Sequence, residues 1–111
     1  MLKTEYTFGE VRPLAAQVSA DAEKVSFKGI FENNNGGVSL LAFRKGQSLA
    51  KHLAPAEVMV YVVEGEVELT MIDRPLTLRA GEFMLMGEGV PHSVVAAADS
   101  KVMLVKVKSD K

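Results

Sequence analysis

Short apolar segments broken by turn signals at intervals of about eight to twelve residues constrain this chain more than any other feature, because that spacing suits strands and leaves little room for helices. The signals are Asn33-Asn-Asn-Gly-Gly37, Lys45-Gly46, Ala54-Pro55, Glu64-Gly65, Asp73-Arg-Pro75, Ala80-Gly81, Gly87-Glu-Gly-Val-Pro91 and Asp99-Ser100. The segments between them are rich in Val, Leu, Phe and Met and alternate with polar residues. Gly65 to Ile72 puts Val67, Leu69 and Met71 on one face and Glu66, Glu68 and Thr70 on the other. Pro75 to Arg79 and Lys101 to Lys108 repeat the pattern, and the lysines of the second suggest a charged outer strand face. A period of two with frequent turns predicts an all-β sandwich or barrel.

The N-terminal third is less regular. Leu14 to Glu23 predicts a short helical turn after Pro13 or an irregular arm, and Val25 to Phe31 a strand interrupted by Gly29. With 111 residues and no linker or repeat, one domain is expected over 1–111, an arm at about 1–24 and a barrel at about 25–108.

Composition removes several function classes. Thirteen basic and fourteen acidic residues are spread along the chain, so neither a nucleic-acid surface nor an anionic-lipid patch is expected. The absence of cysteine excludes disulfides, thiolate metal sites and cysteine nucleophiles. Val58 to Val63, the longest apolar run, is far too short to span a bilayer. Met1 to Tyr6 lacks the apolar core of a signal peptide, so a cytoplasmic protein is expected.

The stretch from Gly46 to Ala96 is the most informative. It holds Gly46, five residues, His52, Ala54 and Glu57-Val58, then Tyr61-Val-Val-Glu-Gly65-Glu, then Gly81, Gly87-Glu-Gly89-Val-Pro91-His92. This resembles the two motifs of the cupin superfamily: Gly, five residues, His-x-His, a short gap, Glu, six residues, Gly; and Gly, five residues, Pro-x-Gly, two residues, His, three residues, Asn. The resemblance covers about half of the chain. It implies a double-stranded β-helix, or jelly-roll barrel, with glycines 46, 65 and 81 in backbone conformations other residues tolerate poorly. It also implies an interior site for Zn, Fe, Mn or Ni held by imidazoles and a carboxylate.

The ligand positions depart from that motif. His52 and His92 match family histidines, but Ala54 stands where the second His belongs and Val58 where the Glu belongs. Glu57, one residue earlier, faces away on a regular strand; a bulge at 54–56 would turn it inward and complete a two-His, one-carboxylate set with His52 and His92. Without it the inherited metal centre is degenerate. His52, Ala54, Val58, Val60 and His92 are then expected to line a pocket with an apolar wall, suited to a small and partly apolar molecule. Arg44 and Lys51 are the candidate cations at its mouth.

The expected function is therefore small-molecule binding or sensing. The alternative is a metal-dependent oxygenase or isomerase of a small metabolite using His52 and His92, and metal-free isomerase chemistry with a His base is a third option. Among the methionines, Met59, Met71, Met84, Met86 and Met103 fall on predicted strands as adaptable core filling. The resemblance implies a homodimer, for which Val25 to Phe31 supplies an apolar strand; Tyr61, alternating away from the inward valines, is expected to pack between sheets or at a subunit contact.

Overall fold

The computed structural model describes residues 2–52 and 54–108, with the side chain of His52 outside that description. Among the described residues nine strands run antiparallel in two sheets. The larger sheet has the order β1 (Ser26–Asn33), β2 (Gly36–Phe43), β9 (Ser100–Val107), β4 (Glu57–Glu64), β7 (Phe83–Met86). The smaller has the order β3 (Ser48–His52), β8 (His92–Ala96), β5 (Glu66–Met71), β6 (Arg74–Arg79). Strands far apart in sequence thus become neighbours: β2 with β9, β3 with β8, β4 with β9. This is the jelly-roll winding.

The period of two does the sorting. Along β4, Val58, Val60 and Val62 are buried between the sheets while Met59, Tyr61 and Val63 are only half-buried on the outside. Val67 and Leu69 of β5, Val102 of β9, and Leu41 and Phe43 of β2 complete one interior cluster. Strand β2 is buried on both faces. Its outward Leu40 and Ala42 pack under the N-terminal arm against Val18, with Leu14, Ala20, Ile30 and Met103 around them.

That arm contains one turn of 3-10 helix, Ala15–Gln17, in the stretch for which the sequence leaves a helical turn after Pro13 or an irregular arm open. Lys3 pairs with Glu32 through two backbone hydrogen bonds, Thr4 Oγ1 donates to Ile30 O at 2.6 Å, and Lys101 Nζ donates to Ala15 O. Lys28 pairs with Glu5; the hydrogen bond first, and the charge second, holds the Glu5 carboxyl below its ordinary pKa. Gly29 interrupts β1 as expected: the β1–β2 register shifts between Gly29 and Phe31.

One turn falls earlier than the Asp73-Arg-Pro75 signal. The β5–β6 hairpin turns on Ile72 and Asp73, with φ of 51° and 57°, so that Met71 pairs with Arg74. Two left-handed residues match the twist of the flanking strands, which is what a two-residue loop requires. Pro75 lies within β6 itself, which it can do because β6 is an edge strand and needs no further ladder donor. No helix among the described residues is long and apolar enough to cross a membrane.

Candidate functional site

The space between the sheets is not completely filled. A cavity of about 150 Å³ lies inside the barrel. The larger sheet contributes Leu41 and Phe43 from β2, Val58 and Val60 from β4, Met86 from β7, and Val102 and Leu104 from β9. The smaller sheet contributes Leu49, Leu69 and Val94, and the loop after β3 adds Ala54 and Pro55. Every described lining side chain is apolar except His92 and Lys106.

His92 opens β8 and is buried. Its Nδ1 lies 3.0 Å from the carbonyl oxygen of Val90. A carbonyl only accepts, so Nδ1 carries the proton and the ring orientation is fixed by the loop that precedes the strand. The same loop is tied to the other side of the opening, because Gly89 N–H donates to Ala54 O at 2.9 Å. Pairing of β3 with β8 sets the backbone of His52 directly opposite His92, after a register shift between Leu49 and His52.

Four of the positions singled out in the sequence therefore share one cavity: Ala54, Val58, Val60 and His92. Glu57 is not among them. It is exposed, and the β4–β9 register runs without a shift from Glu57 to Val62, so alternation turns its carboxylate away from Val58. Within the ladder from Glu57 to Val62 nothing turns it inward. Arg44 and Lys51 are also exposed and do not line the cavity.

The cation that does line it is Lys106. Expected on a charged outer face, it instead shares the inner face of β9 with Val102 and Leu104, and the outer face carries Lys101, Met103 and Val105. The signal in the sequence is parity: residues 102, 104 and 106 must point the same way. Lys106 sits opposite Val58 in the ladder, near the end of the strand, where the inner face reaches solvent.

The residues present do not fit the metal centre that the family motif encodes. Ala54 and Val58 have no donor atoms, Glu57 points away, and among the described residues no group of three or more His, Cys, Asp or Glu comes together. Catalytic metal sites of the zinc type use three protein ligands, and only His92 is placed here with His52 opposite it in the backbone.

Comparison with solved structures places the architecture among many relatives. A conserved protein of unknown function from Streptococcus pyogenes superposes with a TM-score of 0.88 at 22% identity, covering 97% of this chain and 95% of that one. A cupin superfamily protein from Desulfitobacterium hafniense gives 0.87 at 17% identity, covering 98% and 99%. An RmlC-like cupin from Desulfovibrio desulfuricans gives 0.73 at 24% identity, covering 95% of each chain. At these identities the likeness speaks for the fold alone. No curated protein matches the chain. The family model of the cupin domain matches residues 39–108, which takes in every strand from β3 to β9 and the second half of β2. With the winding of the two sheets and the match agreeing over the same residues, this chain belongs to the cupin family.

Proposed function

We propose that this chain binds a small, mainly apolar molecule inside the barrel, as a binding or sensing protein rather than through the family's metal chemistry. One observation carries the reading: the interior holds a cavity of about 150 Å³ whose described walls are apolar but for His92 and Lys106. Such a volume between aliphatic and aromatic side chains takes a ligand of about benzene size. Ala54 and Val58 stand where metal ligands would stand, so the wall attracts apolar surface where the motif would supply donors. Sugars fit this wall poorly, since their hydroxyls would lose water without gaining partners.

Filling the cavity tests the reading. Ala54 is half-buried at the cavity wall, and Ala54→Leu adds three carbons there. Titrated with toluene, the unaltered chain is expected to show methyl-resonance shifts at Val58, Val60 and Met86. Ala54→Leu is expected to weaken that binding at least about tenfold while leaving thermal stability equal or slightly raised, as cavity filling does. Toluene binding that survives Ala54→Leu unchanged would place the ligand elsewhere.

A second reading, a divalent-metal enzyme acting on a small metabolite, is supported by the backbone pairing of His52 with His92. Native mass spectrometry of protein purified without a chelating tag, combined with elemental analysis, separates the two. Close to one Zn, Fe, Mn or Ni per chain, lost in His92→Ala, favours the enzyme; a copurified organic molecule without metal favours the binding protein. The same spectrum reads the subunit count. We propose a homodimer of the 12.0 kDa chain, supported by Phe27 on the edge strand β1 at 67% exposure and by Phe83 and Leu85 on the outer face of β7.

A further inference from the structure

We infer that the barrel selects a compact apolar molecule carrying a single negative charge, a small aromatic or branched aliphatic carboxylate, with its apolar body inside and its carboxylate at Lys106. The inference rests on the reading of the cavity as a small-molecule site and adds the chemical class of the ligand.

Three features of the cavity point to this class. Among its described lining residues Lys106 is the one Lys, Arg, Asp or Glu, so no carboxylate shares the cavity wall with it. None of the ion pairs among the described residues uses Lys106, whereas Glu5, Glu10 and Glu66 are each held by a neighbouring cation. The second feature is position. Lys106 and Pro55 line both the inner cavity and an adjoining outer groove of about 580 Å³, so they mark the opening between the two. A carboxylate buried among the valines would lose its hydration with little in return. At the opening it keeps water and meets an ammonium, and charge-assisted hydrogen bonds of that kind are the strong ones.

Size supplies the third argument. About 150 Å³ has room for a ring of roughly six carbons or a short branched chain, but not for a phosphorylated sugar or a nucleotide. The outer groove is a more mixed anion site, because Glu5 and Glu32 line it beside Lys3, Lys106 and Lys108, whereas no carboxylate lines the inner cavity. A cationic ligand would meet Lys106 with like charge at the one place where its head group could stay wet. Lysine rather than arginine suits the geometry, since a flexible stem can run along the apolar rim and present a point charge.

Benzoate, benzyl alcohol and benzylamine test this on the intact chain, with methyl shifts reporting entry and calorimetry the dissociation constant. Benzoate is expected to bind about tenfold tighter than benzyl alcohol and benzylamine more weakly than either. Lys106→Met is expected to remove the preference for benzoate while changing benzyl alcohol affinity by less than about twofold, and Lys106→Arg to keep most of it. Raising the salt is expected to narrow the benzoate advantage in the unaltered chain. Equal affinities for benzoate and benzyl alcohol, or a preference untouched by Lys106→Met, would overturn the assignment of the anion and leave the apolar site standing. Failure of all three probes to shift any interior methyl would overturn the small-molecule reading itself.

Discussion

Gly65→Ala is expected to lower the melting temperature by on the order of 10–20 °C, a loss near 3 kcal/mol. Gly65 makes the turn from β4 to β5 with φ at 87°, where an alanine pays about 1–2 kcal/mol in backbone sterics. Space adds a second cost. A Cβ there would lie 2.3 Å from Asp99 O and 2.3 Å from Ser100 Oγ, so the start of β9 would have to move. Ser100 is buried, and its hydroxyl accepts from Glu66 N–H at 3.0 Å while lying 2.7 Å from Ala98 O. Breaking that arrangement strands buried polar groups, at about 1–3 kcal/mol. Gly46 and Gly81 provide the controls: φ is 89° and 88°, but a Cβ on either meets nothing within 4 Å. Alanine at those two positions is expected to cost only about 1–2 kcal/mol each, the backbone term alone. Melting curves of the three variants decide the matter. If Gly65→Ala melts with its two controls, the close approach to β9 is not a constraint on the fold.

The second large effect is expected at Phe43. It is completely buried, sits in the main interior cluster and forms part of the cavity wall. Phe43→Ala removes a ring from a packed interior and is expected to cost about 3–5 kcal/mol, the range for large-to-small aromatic changes. For a chain of this length that is a fall of on the order of 15–30 °C in melting temperature. The change also lengthens the existing chamber, so the variant is expected to accept a two-ring neutral probe such as naphthalene that the parent excludes. Circular dichroism melts with and without the probe read both consequences. A fall below about 5 °C would show that the interior collapses around the missing ring, and the probe would then find no enlarged site.

Much of the fold was legible because strands write a local code. Val58, Val60 and Val62 alternate with half-buried neighbours as the sequence suggests, and Gly29 and the Asn33–Gly37 signal mark a bulge and a hairpin. The β5–β6 turn was harder. Pro75 reads as a turn residue, but only the position of β6 at a sheet edge lets it sit inside a strand. The histidines followed another route: their motif spacing was visible, whereas their direct pairing depends on the β3–β8 register, which no local pattern specifies.

The site divides the same way. The loss of donor atoms at Ala54 and Val58 is a property of the residues themselves, and so is the apolar wall they create. Glu57 required the structure, because a bulge and a regular strand predict opposite directions for its carboxylate and only the ladder to β9 shows which one occurs. Lys106 required it for a related reason: alternation says that 102, 104 and 106 share a face, but not which face is the inside. By itself, then, the sequence determined the strand periodicity, the turn positions to within a residue or two, the family and the missing ligands, all of which are short-range or compositional. Tertiary structure decided which side of β9 is interior, that the interior is partly hollow, and that a lysine stands at its opening. Those depend on how the side-chain volumes of two sheets add up across the gap between them, a sum that no single strand contains.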